Sequence, residues 1–213
     1  NNNHTIFHFQ VFCNFLTKML LEHNHTAMLY FRCINLKGVF MPLIHDISYN
    51  PPFLFKNGHI NTVIPFLFRP TQQNGYTRLR KETPDGDFLD ADVLSCGSET
   101  LVILCHGLEG SSHSRYIRSI SSVLSENGYD VAAWNYRGCS GEPNRKLRFY
   151  HSGATDDLYF IIREFEKGYK NIALIGFSLG GNLILKYLGD GYFPVPEKVK
   201  CAVAVSAPVD LSS

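Results

Sequence analysis

The sequence predicts an α/β fold, in which a mostly parallel sheet has helices on both faces and follows an antiparallel hairpin. From residue 77 onward, short apolar runs typical of buried strands alternate with segments of helical period. In addition, Pro84-Asp85-Gly86 separates two segments of alternating polarity. Proline fixes φ and glycine accepts a positive φ, so this tripeptide indicates a hairpin turn.

The strands follow from these runs in chain order. The first two, at residues 77–83 and 88–94, form the hairpin. The later ones are apolar almost throughout, which is typical of parallel strands that are covered on both faces. They are predicted at residues 101–105, 130–136, 172–175 and 199–207.

Three helices are predicted between these strands. The first begins near Ser114 and ends at Asn127-Gly128, which favours a helix end. The second begins at Thr155, where two aspartates suit the positive end of the helix dipole. The third follows residue 180. Apolar residues at helical spacing mark the buried faces: Ile117, Ile120 and Leu124; Leu158, Ile161, Ile162 and Phe165; Leu183, Ile184, Tyr187 and Leu188.

The most informative motif is Gly176-Phe177-Ser178-Leu179-Gly180, between a predicted strand and a predicted helix. Gly-x-Ser-x-Gly in this context is the nucleophile elbow of α/β-hydrolases. The small flanking residues let the two backbones approach closely, and the helix N-terminus can stabilise negative charge that develops nearby. Ser178 is therefore the predicted nucleophile.

A second motif, His106-Gly107-Leu108-Glu109-Gly110, follows the strand at residues 101–105. In an α/β-hydrolase the loop after this strand and the residue after the nucleophile each supply a backbone N–H to the oxyanion hole. The predicted donors are the N–H groups of Leu108 and Leu179. The alternative is that His106-Gly107 is merely a turn at a strand end. The downstream Ser178 favours the functional interpretation.

Composition and charge exclude several other classes. The 213 residues are 45% hydrophobic and 18% charged, as expected of a globular α/β protein. A net charge of +1 gives no indication of a nucleic-acid partner. The six cysteines are scattered without a ligand pattern, which argues against a disulfide framework or a zinc site and favours a reducing compartment. Whether the protein is cytoplasmic or membrane-associated stays open.

Four segments together resemble the AB hydrolase 4 family of the α/β-hydrolase superfamily, which contains bacterial YheT-like and eukaryotic ABHD-type serine esterases. They are residues 55–62, 84–90, 106–112 and 176–182, and residues 135–141 look like the family's loop after the next strand. The resemblance implies a serine carboxylesterase or lipase that cleaves small or lipid-like esters through an acyl-enzyme on Ser178. It implies no metal and no organic cofactor, and it leaves oligomeric state and membrane association open.

The sequence departs from the family pattern in the rest of the catalytic triad. In α/β-hydrolases the acid and the histidine follow the serine in the chain, and we expect both beyond residue 213. His106, His113 and His151 precede the nucleophile, and Asp210 is more typical of a structural turn than of the acid. The expectation is a truncated hydrolase that is inactive alone, and the alternative is a non-catalytic hydrolase-fold fragment. Truncation would also expose the edge of the strand at residues 199–207, a site of aggregation.

The hydrolase core is predicted at residues 77–213, and two segments, 1–40 and 41–76, precede it. Residues 1–40 match nothing in the family; an artefact of gene prediction is the preferred interpretation. A membrane anchor is the alternative, although polar residues interrupt the apolar stretch 6–21 and a span needs ~20 uninterrupted residues. Residues 41–76 form an arm that contains many aromatic residues. We expect it to pack against the sheet rather than to form a lid, with no ligand role for His59.

Overall fold

The computed structural model describes residues 29–33, 52–60, 63–64 and 75–208. In this part of the chain one seven-stranded sheet forms the centre of the fold. Its strands are β1 (Leu29–Cys33), β2 (Thr77–Glu82), β3 (Phe88–Leu94), β4 (Thr100–Cys105), β5 (Asp130–Asn135), β6 (Asn171–Phe177) and β7 (Val199–Val205). They lie in the order β1-β7-β6-β4-β5-β3-β2.

The predicted hairpin is confirmed. Strands β2 and β3 pair antiparallel, with Glu82 opposite Phe88 at the turn. Gly86 has φ 79, the positive value expected after Pro84-Asp85. Strand β3 then pairs antiparallel with β5, which joins the hairpin to the parallel part of the sheet.

The predicted parallel sheet with helices on both faces is also confirmed. Strands β5, β4, β6 and β7 are neighbours and run parallel. The helices are α1 (Arg115–Glu126), α2 (Thr155–Phe165) and α3 (Leu179–Gly189). The apolar stripes of α2 and α3 pack on one face of the sheet and that of α1 on the other, as their spacing predicted. This arrangement brings the carboxyl ends of β4 and β6 side by side.

A buried cation fixes the turn of the hairpin to the start of α2. Arg137, which is 2% exposed, donates to Asp157 in α2 and to Asp87 in the turn, at 2.8–2.9 Å. The hydrogen bonds to Asp157 raise the pKa of Arg137 above its ordinary value. Because both carboxylates are buried with it, removal of one partner would leave an uncompensated charge in the interior.

One expectation about the sheet is wrong. Strand β1 pairs antiparallel with β7, with Leu29 opposite Val205 and Cys33 opposite Cys201. The edge of β7 is therefore covered rather than exposed. Five residues of the segment 1–40 thus belong to the sheet, and the rest of that segment lies outside the described residues, as does most of the arm. In the described part of the arm, Phe53, Val63 and Ile64 are exposed and do not show the predicted packing.

Candidate active site

Ser178 lies between the end of β6 and the start of α3 and is exposed. Its φ of 51° and ψ of −116° fall in a region that residues other than glycine rarely adopt. A conformation of this kind costs on the order of 1–3 kcal/mol and persists only where the surroundings impose it. The strand–turn–helix geometry of a nucleophile elbow is therefore present at Ser178.

The two glycines of the motif make this turn sterically feasible. A Cβ atom at Gly176 would lie 2.3 Å from the carbonyl oxygen of Gly180. A Cβ atom at Gly180 would lie 2.4 Å from the carbonyl oxygen of Cys105 and 2.6 Å from that of His106. Any side chain at either position would push the helix away from the strands, so close approach explains both glycines.

The loop after β4 lies against the elbow. Gly107 begins a four-residue turn in which the N–H of Gly110 donates to the Gly107 carbonyl oxygen at 3.1 Å. A Cβ atom at Gly107 would be 3.4 Å from Cβ of Ser178, so the turn passes close enough to the serine that one added carbon would contact it. We call residues 107–110 the oxyanion turn.

Both predicted donors have unused N–H groups. Neither the N–H of Leu108 nor that of Leu179 donates to another residue in the described parts of the chain. Leu179 is the first residue of α3, and an N–H in the first turn of a helix has no intrahelical acceptor. Leu108 is 68% exposed. The unpaired N–H of Leu179 and the positive end of the α3 dipole thus lie beside Ser178, and the turn that carries the unpaired N–H of Leu108 passes close to it.

Two side chains hold the backbone of Gly107, the first residue of the oxyanion turn. Nδ1 of His106 lies 2.7 Å from the Gly107 carbonyl oxygen, and the hydroxyl of Tyr116 accepts from the Gly107 N–H at 2.8 Å. Nε2 of His106 accepts from the N–H of Tyr136 at 3.3 Å. The imidazole therefore carries its proton on Nδ1 and is neutral. Burial lowers the pKa of His106 to about 4, so the imidazole stays uncharged at neutral pH.

No hydrogen bond joins a histidine of the described residues to the hydroxyl of Ser178. His113 hydrogen-bonds Arg118 at 2.8 Å and lies 3.8 Å from Asp92. His151 accepts from the N–H of Gly153. Asp210 lies outside the described residues. The arrangement therefore contains the predicted nucleophile and the residues of the two predicted oxyanion donors, and neither His113 nor His151 hydrogen-bonds that serine.

Sequence reasoning missed two tyrosines of this site. Tyr116 in α1 holds the Gly107 N–H, and Tyr150 accepts the Glu109 N–H at 2.8 Å. They lie 9 and 41 residues away from their partners in the chain. Tyr116 precedes Ile117 at the start of the apolar stripe of α1, and neither tyrosine belongs to a recognisable motif. Only the fold brings them to the turn.

The described residues contain no group of three or more His, Cys, Asp or Glu side chains that could hold a metal ion. Within the same residues, no helix combines the length and apolar character that crossing a membrane requires. The four cysteines whose side chains are described, at 96, 105, 139 and 201, are free thiols.

Comparison with known proteins agrees with this geometry. Residues 100–213 match the sequence profile of the alpha/beta hydrolase fold family. YheT of Escherichia coli, which is named as an esterase, is 36% identical over 165 residues, covering 75% of this chain and 48% of YheT. Human monoacylglycerol lipase ABHD2 is 31% identical over 172 residues, covering 74% of this chain and 40% of the lipase. The chain thus spans about half the length of YheT and less than half the length of the lipase.

A solved structure supports the same fold. The esterase of Pyrococcus furiosus superimposes with a TM-score of 0.53 at 23% sequence identity, covering 66% of this chain and 55% of the esterase. The profile match spans more than half of the chain and includes both the oxyanion turn and the elbow. The chain therefore belongs to the alpha/beta hydrolase superfamily and is of the ABHD type within it.

Proposed function

We propose that the protein hydrolyses carboxylic esters through an acyl-enzyme on Ser178. The observation that carries the proposal is the strained Ser178 at the N-terminus of α3, next to the turn that contains Leu108. An exposed hydroxyl beside two unpaired N–H groups is the arrangement that acyl transfer requires. The similarity to proteins named as esterases and monoacylglycerol lipases supports esters as the substrate class.

In the proposed reaction, Oγ of Ser178 attacks the ester carbonyl carbon and its proton passes to a base. The carbonyl oxygen becomes an oxyanion, which accepts hydrogen bonds from the N–H groups of Leu108 and Leu179. Collapse of the tetrahedral intermediate breaks the bond to the alcohol, which leaves with a proton. Water then attacks the acyl-enzyme in the same way, releasing the acid and restoring Ser178.

We place the base and its acid outside the described residues, because in α/β-hydrolases both follow the nucleophile and residues 179–213 contain no histidine. A serine without its histidine loses several powers of ten in rate. We therefore propose that residues 1–213 expressed alone turn over esters very slowly. The substrates are small or lipid-like esters. Leu108 in the oxyanion turn and Phe149, which precedes the Tyr150 that hydrogen-bonds this turn, are exposed apolar side chains that suit an acyl chain.

The test uses the natural protein that contains this chain, treated with a fluorophosphonate serine probe. We expect one probe per molecule, on the tryptic peptide that contains Ser178, together with hydrolysis of short-chain aryl esters and monoacylglycerols. Ser178→Ala should abolish labelling and lower kcat by several powers of ten while leaving Tm within a few degrees.

Labelling of another serine, or full activity in Ser178→Ala, would contradict the assignment of the nucleophile. A well-folded natural protein that neither labels nor hydrolyses any ester would favour the alternative, a hydrolase-fold protein without catalytic function. As a control, Ser122→Ala removes an α1 serine that is not part of the proposed site and should label like the unmodified protein.

A further inference from the structure

One peptide group, between Gly107 and Leu108, carries the proposed oxyanion donor. Its nitrogen is that of Leu108, and its oxygen is the carbonyl oxygen of Gly107. The peptide is planar and trans, so its C=O and N–H bonds point in opposite directions. Whatever holds the Gly107 carbonyl oxygen therefore also fixes the direction in which the Leu108 N–H points.

Two donors hold this carbonyl oxygen. The N–H of Gly110 donates to it at 3.1 Å, which is the bond that closes a four-residue turn. Nδ1 of His106 lies 2.7 Å from the same oxygen. The bond from His106 is the shorter of the two and comes from a side chain. It can therefore be removed without a change to the backbone of the turn.

The imidazole of His106 is fixed as a donor to this oxygen. Nε2 accepts from the backbone N–H of Tyr136 at 3.3 Å. Because a backbone N–H can only donate, the single proton of the neutral ring is on Nδ1. His106 is 1% exposed, and its ring packs edge-on against that of Tyr136 with centroids 4.2 Å apart. The ring therefore has one orientation and one tautomer.

The hydrogen bond from His106 affects the donor in two ways. It resists rotation of the peptide, which would swing the Leu108 N–H away from its present direction. It also polarises the peptide, because hydrogen bonds in a chain strengthen one another, and more so where water is excluded. The Leu108 N–H itself donates to no residue in the described parts of the chain. Its capacity is thus available to a substrate.

We propose that His106 is a positioning residue: its Nδ1–H holds the Gly107 carbonyl oxygen and thereby orients and polarises the Leu108 N–H for the oxyanion. The inference rests on the proposed ester hydrolysis by Ser178. In it, His106 acts through one peptide group and does not touch the substrate. Since the oxyanion forms only as the reaction proceeds, the effect belongs to kcat rather than to KM.

Two substitutions in the natural protein, each of which imitates one ring nitrogen, test this role. The amide nitrogen of asparagine can take the place of Nδ1, so His106→Asn keeps a donor for the Gly107 carbonyl oxygen. The amide oxygen of glutamine can take the place of Nε2, so His106→Gln keeps an acceptor for the Tyr136 N–H and loses the donor. Both variants should have a lower Tm, because each loses one hydrogen bond of a buried side chain.

The two variants should differ in catalysis. We expect His106→Gln to lower kcat about ten-fold, less than the about 100- to 1,000-fold that follows removal of an oxyanion donor. His106→Asn should lower kcat less than about three-fold. KM for an aryl ester should change less than about two-fold in either variant. Labelling by the fluorophosphonate probe should slow in parallel with kcat.

Two further variants complete the test. His106→Met has neither a donor nor an acceptor, and it should lower kcat at least as much as His106→Gln. The control for a loss of stability alone is Tyr169→Phe, which removes a hydroxyl that donates to Asp130 at 2.9 Å at the opposite end of the sheet. It should lower Tm and leave kcat unchanged.

The outcomes separate the two proposals. If Ser178→Ala abolishes hydrolysis but the variants without a donor keep full kcat, or lose no more than His106→Asn, the positioning role is wrong and the proposed function stands. A rise in KM at constant kcat would overturn the role as well. If Ser178→Ala retains hydrolysis, the proposed function fails and the positioning role fails with it.

Discussion

The backbone N–H of Ser178 donates to the carbonyl oxygen of Val205 at 2.8 Å. This bond joins the residue after β6 to the last residue of β7, and the Ser178 carbonyl oxygen accepts from the N–H of Asn182 at 3.0 Å in the first turn of α3. The strained serine is thus held from both sides by backbone groups. Two neighbouring elements, rather than any side chain, impose its conformation.

The strain at Ser178 predicts a difference between two inactive variants. Ser178→Gly removes the Cβ atom that makes φ 51 and ψ −116 unfavourable, whereas Ser178→Ala keeps it. Even after the greater unfolded-chain entropy of glycine, we expect Ser178→Gly to be more stable than Ser178→Ala by roughly 1 kcal/mol. Urea denaturation of both proteins measures this difference. Equal midpoints would mean that the elbow is relaxed in solution.

The close approach at Gly180 predicts a large loss of stability. Gly180→Ala places a Cβ atom 2.4 Å from the Cys105 carbonyl oxygen, so α3 has to move from β4. We expect a loss of about 3 kcal/mol in the free energy of unfolding. Labelling of Ser178 should also slow, because the helix N-terminus and the oxyanion turn separate.

Gly189→Ala is the matched control in the same helix. A Cβ atom there has no neighbour within 4 Å, so alanine should be neutral or stabilise by up to about 1 kcal/mol. If both variants lost similar stability, general helix packing rather than the contact with β4 would explain the effect.

Much of this architecture was predictable because its determinants are local. Each of these features is encoded within about a dozen consecutive residues: the Pro84-Asp85-Gly86 turn, the apolar runs of the central strands and the apolar helix faces of α1–α3. Ser178, Leu108 and Leu179 followed from two short motifs. Gly176 meets Gly180 within five residues, a spacing that a motif can represent, whereas Gly180 also approaches the distant Cys105 carbonyl oxygen.

The contacts between residues that are distant in the chain could not be predicted in the same way. Tyr150 meets Glu109 across 41 residues, and Arg137 meets Asp87 across 50. Tyrosines, arginines and aspartates are common on protein surfaces, so nothing local distinguishes these ones. The pairing of β1 with β7 spans most of the chain and equally left no local signal.

The buried His106 predicts a loss of stability in mild acid. Its pKa is about 4 in the folded protein and near the ordinary 6.5 when unfolded. Between these values the unfolded chain binds a proton that the native state does not, so stability is complete above pH 6.5 and falls as the pH drops towards about 4. Urea denaturation across this range should show the decline.

His106→Asn should flatten that dependence. It also weakens the contacts to the Gly107 carbonyl oxygen and the Tyr136 N–H, so we expect a loss of about 1–3 kcal/mol at neutral pH. An unchanged slope between pH 6.5 and 4 in the variant would show that another group titrates there.

The buried Asp130 predicts a second loss of stability, at a lower pH than that of His106. Burial alone would raise its pKa, but the N–H groups of Ser98 and Cys96, at 3.0 and 2.8 Å, and two hydroxyls outweigh this and lower the pKa to about 2. The ionised form of Asp130 is thus more stable in the native protein than in the unfolded chain, where the ordinary pKa is 3.8. Its stabilisation is complete above pH 3.8 and lost as the pH falls towards about 2.

Asp130→Asn tests this window separately from that of His106. The amide keeps one acceptor oxygen and turns the other into a donor, which conflicts with the donors around it. We expect the variant to lose about 1–3 kcal/mol at neutral pH. Its stability should also decline less than that of the unmodified protein between pH 3.8 and 2, with the slope above pH 4 unaltered.

Because Asp130 lies at the amino end of β5, away from Ser178, labelling by the serine probe at neutral pH should be unchanged. Slower labelling would mean that the two ends of the sheet are coupled.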